Sequence, residues 1–292
     1  MLHIEKALAI THAVADRPAA AEHYRQALNG EVLFDGVWEA TGRDATFVLV
    51  KNACVELVDP PELPEEAASY LKRYGGFVYA VTFHVANVAE ARRHFQERGI
   101  GIEGEGDRYF TTDPRDTLGT TFAFTEVEIP NDPRLTRRQR RAKDEPSTPS
   151  ACLWYVTVLA KDVDQTSEFF HDVLGGRLIG KRGVGEYSNG SHLYQFGTSR
   201  ISVIEPKTGD TTLSAVMDRQ GGMGIHGICV IVEDLEFAAK ELRSRGVAIL
   251  GSPETRLTTH PRSVMGARFI LVPPPEFTDP TWVWTAPEAG IG

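Results

Sequence analysis

The second half of the chain repeats the first. Asp16 and Asp162 each follow a short apolar stretch and open a helical pattern, and they stand 146 residues apart. VELVDP (Val55 to Pro60) and ISVIEP (Ile201 to Pro206) match at the same offset. ERGI ending at Ile100 matches SRGV ending at Val247, and TTDPRDTLG from Thr111 matches TTHPRSVMG from Thr258, both at an offset of 147. Matches that hold along 292 residues with a one-residue slip mean a duplicated domain. Whatever this chain folds into must be built twice from one plan.

Each half contains a finer repeat. ALAITHAV leads to Asp16, a helical pattern and Gly30, and VYAVTFHV leads to Asn87, VAEARRHFQER and Gly99. In the second half WYVTVLA leads to Asp162, and IHGICVIV leads to Asp234, LEFAAKELRSR and Gly246. Asp or Asn before a helix and Gly after it are the expected start and stop signals. Alternating runs such as TFVLVKN, HLYQFG and RISVIEP between the helices read as strands. The unit is β-α-β-β-β, used four times, and the class is α+β. The expected boundaries are an N-terminal domain over 1–133, a linker over 134–150 and a C-terminal domain over 151–292. The linker reading rests on RLTRRQRRAKDEPSTPS, a basic run that passes directly into acidic residues and a Pro/Ser/Thr stretch.

Composition narrows the function classes. With 41% hydrophobic residues, 24% charged residues and a net charge of -9, the chain reads as an ordinary soluble protein whose acidity disfavours nucleic acid. No apolar run is long enough to span a bilayer, and the charges in MLHIEKALAITHAV interrupt the segment that a signal peptide needs. Cys54, Cys152 and Cys229 show no C-x-x-C spacing, which fits a reducing cytoplasm. The partner expected is a small molecule, with no nucleic acid and no membrane. Four modules complete two sites within one chain, so a monomer or a weak homodimer is expected.

The motifs VADRPAAAEHY, VELVDP, DPRDTLG, GIHGICVIVEDLEFAAKEL and THPRSVMG resemble those of the vicinal oxygen chelate superfamily, which includes glyoxalase I, methylmalonyl-CoA epimerase, antibiotic-binding resistance proteins and extradiol dioxygenases. The last four are most similar to the epimerase and glyoxalase branch. Four modules in one chain resemble the extradiol arrangement. The resemblance implies that modules pair into two cupped sheets, each able to hold a divalent metal on His, Glu or Gln side chains.

Carried over one position at a time, that ligand set is largely missing. In the first half the ligand positions fall on Ala9, Glu56, Ala80 and Ala123, and in the second on Tyr155, Ser202, Gly227 and Ile270. The two His and one Glu of the extradiol iron site fall on Tyr155, Gly227 and Ile270. Alanine, glycine and isoleucine offer no side-chain donor, so no metal and no cofactor are expected. His226 adjoins Gly227, but strand alternation turns it to the opposite face.

Period-two alternation lines the first cup with small residues around Glu56 and His84, and the second with Tyr155, Thr157, Ser202, Cys229 and Arg268. His192 and Tyr194 share one face of a neighbouring strand, just after Glu186 and Tyr187. Tyr155, His192, Tyr194 and Arg268 are the expected catalytic groups, three as acid/base candidates and Arg268 as an anion holder. Glu56, His84, Thr157, Glu186, Ser202 and Cys229 are the expected ligand-binding groups. Each has a plainer alternative. Glu56 reads equally well as a salt-bridged remnant at the rim, His84 as a solvated strand end, Arg268 as an internal partner of Glu186, Tyr155 as a filler of the void, and Cys229 as a small buried hydrophobe. His12 reads as a hydrogen-bonded core residue, and Trp154, Trp282 and Trp284 as packing residues.

Three functions follow. The first is a metal-independent isomerase- or lyase-type enzyme acting on a small, partly aromatic or acidic metabolite in the C-terminal cup. The second is a protein that binds and sequesters such a compound. The third is a divergent ring-cleaving dioxygenase.

Overall fold

The computed structural model of the chain describes residues 2–60, 65–104, 106–134, 155–184, 188–207, 223–273 and 282–284. The side chains of Tyr155 and of Trp282 to Trp284, and all of Trp154, Glu186 and Tyr187, lie outside what is described. The first half runs β1 (Ile4–Val14), α1 (Arg17–Leu28), β2 (Glu31–Trp38), β3 (Arg43–Val50) and β4 (Ala53–Val58), then α2 (Glu65–Tyr74). It continues with β5 (Gly76–Val85), α3 (Val88–Gln96), β6 (Ile102–Glu103), β7 (Tyr109–Thr112) and β8 (Thr121–Thr125). The second half runs β9 (Tyr155–Ala160), α4 (Val163–Glu168) and a π turn (Phe169–Val173), then β10 (Arg177–Arg182), β11 (Ser188–Phe196) and β12 (Ser199–Pro206). It ends with β13 (Met223–Ile231), α5 (Leu235–Ser244), β14 (Ile249–Ser252), β15 (Arg256–Thr259), a 3-10 turn (Pro261–Ser263), β16 (Phe269–Val272) and β17 (Trp282–Trp284).

The expected β-α-β-β-β unit is present four times. Each helix opens on the residue that the sequence marks: Asp16, Asn87, Asp162 and Asp234 all accept backbone N–H groups one turn on. The first helix stops one residue earlier than its glycine, at Asn29 in the left-handed region with φ 55°. Helix α2 lies between the first two modules, and the equivalent residues of the second half lie outside the described set.

The strands form one sheet per half. The orders are β2-β3-β4-β1-β5-β8-β7-β6 and β14-β15-β16-β13-β9-β12-β11-β10-β17. In each, the first strands of the two modules pair antiparallel at the centre, and each also takes the last strand of its own module as a parallel neighbour. One face of each sheet carries the helices and the main core, which runs through both halves and includes Ile10, Val55, Leu57, Phe83, Val156, Ile201, Val203 and Phe196. The other face is the cup.

The halves are joined side to side. Phe83 and Phe196 meet with ring centroids 5.6 Å apart. The Thr198 N–H donates to the Glu5 carbonyl at 2.9 Å, and the Ala7 N–H donates to Ser199 Oγ at 2.9 Å. Gly197 has φ +54°, and a Cβ there would collide with the Glu5 carbonyl. His12 is a core residue, as expected. Its Nε2 donates to the Met265 carbonyl at 2.8 Å, and Nδ1 accepts the Tyr24 hydroxyl at 2.9 Å. Burial pushes its pKa down to about 4, so the ring stays neutral.

The structure departs from the sequence reading at the first residue of the expected linker. Arg134, expected to be its first solvated residue, is 3% exposed and donates to the Leu8 carbonyl at 2.6 Å. Asp132 holds it at 3.0 Å, which explains why a basic residue is retained inside. Residues 135–150 lie outside the described set. Among the described residues no helix is long and apolar enough to cross a membrane.

Candidate functional site

The N-terminal cup is built around one carboxylic acid. Strand register sets Thr11 beside Glu56 and Ala9 beside Thr82, while Ala123 lies across from Thr82. The Thr11 hydroxyl donates to Glu56 Oε2 at 2.8 Å and lies 3.4 Å from the Thr82 hydroxyl. Glu56 is 3% exposed. It makes no ion pair among the described residues, so the salt-bridged rim position is not what the structure shows. Burial pushes its pKa up to about 7, against a smaller opposing pull from the Thr11 hydroxyl.

An aromatic wall surrounds this acid. Trp38, Phe47, Leu33, Cys54 and Ile129 form a second apolar cluster with Ala9, and Phe34, Val58 and Tyr109 pack against it. Trp38 meets Phe47 at 4.9 Å and Tyr109 at 6.1 Å, both edge to face. The Trp38–Tyr109 contact joins strands from opposite sides of the cup, and an ion pair between Glu39 and Arg108 reinforces it at the surface. Burial and the charge of Glu56 both raise the pKa of Tyr79 and Tyr109, so these phenols remain neutral donors. The Trp38 indole N–H is buried and has no acceptor among the described residues.

Tyr79 reaches the cup through an irregularity. The pairing of β1 with β5 slips between Thr11 and His12, leaving Tyr79 as the extra residue of a bulge. A bulge places two successive side chains where alternation allows one. Tyr79 therefore stacks on Phe77, 6.4 Å away, and joins Ala80 at the cup.

The C-terminal cup has the same bulge and different chemistry. The pairing of β9 with β13 slips between Ile225 and Gly227, so His226 is the extra residue. The expectation that His226 faces away is corrected by this bulge: Arg268 Nη1 lies 3.0 Å from its Nδ1 and 3.1 Å from its Nε2. Burial first, then Arg268 and Arg256, hold His226 well below the usual histidine pKa. Thr157 and Cys229 do share the cup, with 3.6 Å between oxygen and sulfur, and Ser202 pairs with Thr157.

His192 and Tyr194 are not in that cup. Register pairs them with Val203 and Ile201, which face the helices. Tyr194 donates to Ser167 Oγ at 2.5 Å, and Ser167 Oγ lies 2.6 Å from His192 Nδ1. The two residues anchor α4 instead of lining a site with Tyr155 and Arg268. For His84 the structure sets aside the plainer alternative, the solvated strand end. It is 7% exposed rather than solvated, with Glu5 at 3.2 Å and the Glu126 carbonyl at 3.2 Å.

Among the described residues, the donors in the two cups do not fit the family's metal. Around Glu56 the donors are two threonine hydroxyls, and an acid that holds its proton up to about pH 7 competes poorly for a cation. In the second half the ligand positions Gly227 and Ile270 carry no donor atom, and a Cβ at Gly227 would crowd Ile270 Cδ1 at 2.9 Å and the Arg268 carbonyl at 3.1 Å. His226 sits against a guanidinium, which repels a divalent ion. Among the described residues no three His, Cys, Asp or Glu side chains converge as a metal site.

The comparisons with known proteins agree with this architecture. Mouse (Mus musculus) mitochondrial methylmalonyl-CoA epimerase is 22% identical over 111 residues, 38% of this chain. That match spans 62% of the epimerase's own length. A mutant of 4-hydroxymandelate synthase from Streptomyces coelicolor superposes with a TM-score of 0.61 at 16% identity, covering 94% of this chain and 95% of that one. A variant of homoprotocatechuate 2,3-dioxygenase from B. fuscum gives 0.60 at 14%, covering 98% and 74%. These likenesses are likenesses of fold. The family model for the Glyoxalase/Bleomycin resistance protein/Dioxygenase superfamily matches residues 6–124 and 153–285, once per half. This chain belongs to that superfamily, with its modules in tandem.

Proposed function

We propose that this chain is a metal-independent enzyme that moves a proton on a small, partly aromatic substrate, and that Glu56 in the N-terminal cup carries the proton. The reading keeps the isomerase- or lyase-type chemistry expected from the sequence and moves it from the C-terminal cup to the N-terminal one. One observation carries it: a buried carboxyl whose pKa of about 7 lets it give and take a proton near neutral pH. Aromatic walls from Trp38, Phe47 and Tyr109 suit an aromatic group. In the ionised form, Glu56 takes a proton from carbon next to a carbonyl. The electron pair moves onto the carbonyl oxygen, and the neutral hydroxyls of Tyr79 and Tyr109, both sensitive to the charge of Glu56, are the donors that would stabilise it. Glu56 then returns the proton to the substrate at a second position.

The test is proton exchange in heavy water. Small aromatic keto acids and related carbonyl compounds are incubated with chelator-treated protein, and deuterium incorporation is followed by NMR. Incorporation by the wild type that falls by about 10²–10⁴ in Glu56→Gln supports the reading. Incorporation that survives in Glu56→Gln, or that vanishes on chelation, overturns it.

A second reading, a binding and sequestration protein, is favoured by the orphan Trp38 indole N–H, which a ligand's acceptor would satisfy. Tight binding of the same compounds with no deuterium incorporation would support it.

A further inference from the structure

The geometry points to a second site: the C-terminal cup binds a small oxyanion, a carboxylate or phosphate group, with Arg200 as its anchor. Arg200 lies on β12 between Ser199 and Ile201, and alternation with Ile201 and Val203 turns it from the helix face to the cup. It is 9% exposed, yet its guanidinium makes no hydrogen bond or ion pair among the described residues. The charge nearest to it is another cation, Arg177, which donates to Gln195 at 2.9 Å. Burial first, and Arg177 second, push the Arg200 pKa down.

Most of this arginine is withdrawn from water and its guanidinium has no protein acceptor among the described residues, an arrangement that costs stability and that truncation to an apolar residue would relieve. A planar fork of donors with no partner matches a carboxylate or phosphate edge. More basic groups face the same cup. Arg200 pairs with Tyr155, Tyr155 with Cys229, Cys229 with Ile270 and Ile270 with Thr258, which traces one row across the cup. Arg268 lies two residues before Ile270 and holds His226, and Arg256 lies two residues before Thr258 at the exposed edge. Three arginines, Arg200, Arg256 and Arg268, thus reach this cup, and His226 stays neutral beside Arg268.

The two halves differ at these positions in one sense. Arg200, His226, Arg256 and Arg268 stand where the first half has Cys54, Tyr79, Tyr109 and Thr121, and Ser202 stands where it has Glu56. The second half has three arginines where the first has none and a serine where the first has an acid, in a chain whose net charge is -9. Such a cup focuses a positive field on a small anion.

The experiment is thermal unfolding of the full chain in a chloride buffer, titrated with inorganic phosphate, malonate or benzoate and matched in ionic strength with sodium chloride. The expected result is a saturable rise in Tm with at least one probe. Arg200→Met should abolish that rise while leaving the anion-free Tm equal to or above the wild type's. Arg200→Lys, which keeps the charge and loses the fork, should weaken the apparent affinity about tenfold or more. A response to phosphate alone assigns a phosphoryl ligand, and a response to malonate or benzoate assigns a carboxylate. The proposal is overturned if no probe exceeds the chloride control. It is also overturned if Arg200→Met, or Arg200→Lys should the methionine variant not fold, responds as the wild type does.

Discussion

The two cups share a scaffold and differ in charge. On the helix face, Ile10, Val55, Leu57, Val81 and Phe83 of the first half have Val156, Ile201, Val203, Ile228 and Val230 as counterparts, and all ten are core residues. On the cup face, an acid ringed by aromatics in one half stands opposite a serine ringed by basic groups in the other. A core position is constrained by volume, since interiors are close-packed. A cup position is constrained only by what occupies the cup. The two helix faces share their character while the two cups differ in their charged groups.

The largest expected difference is at the wall. Trp38 is 1% exposed, and its counterpart Val184 is 76% exposed. Trp38→Ala should cost about 3–5 kcal/mol in chemical denaturation, and Val184→Ala less than about 0.5 kcal/mol. Equal costs would mean that the first cup is not a packed aromatic chamber.

The next is a pH effect confined to one cup. The Glu56 pKa is raised from 4.5 to about 7 on folding, so the folded state holds this proton more tightly than the unfolded state. The stabilisation is full below about pH 4.5 and is lost as pH rises through about 7. Glu56→Gln, which mimics the protonated acid, should match the wild type at about pH 4 and exceed it by about 3 kcal/mol at about pH 8. Ser202→Ala, the counterpart, should show no pH-dependent difference. Parallel stability curves for Glu56→Gln and wild type would remove the reason to place chemistry in the first cup.

The smallest concerns the hydroxyl on Glu56. The Thr11 bond favours the ionised carboxylate, so Thr11→Val should raise the Glu56 pKa by a further ~1 unit, read from the carboxyl resonance in an NMR titration. Thr157→Val, at the equivalent place beside a serine, should leave the pH dependence of stability unchanged.

Most of the fold was legible because helix caps and strand alternation are local signals. Asp16, Asn87, Asp162 and Asp234 cap their helices, and the alternating runs form the cups. The sites were legible only where alternation held. Tyr79 and His226 enter their cups through bulges, and nothing in a period of two announces a bulge. His192 and Tyr194 share a face as read, but which face depends on the register of β11 against β12, a long-range fact. Glu56 was visible as a candidate, while its raised pKa depends on Trp38 and Tyr109 closing over it from distant strands. Arg200 was hidden because an arginine inside RISVIEP reads as a strand-end residue until a sheet buries it.

The seam between the halves sets a limit on how this architecture can be recombined. Gly197 lies against the Glu5 carbonyl, and Gly266 lies against Gly76, at separations that admit no side chain. A half transplanted from a relative would have to bring the matching bare backbone at both crossings, or the graft would be held apart by a single methyl group. The two cups are free to diverge in chemistry, but they are inherited as a pair.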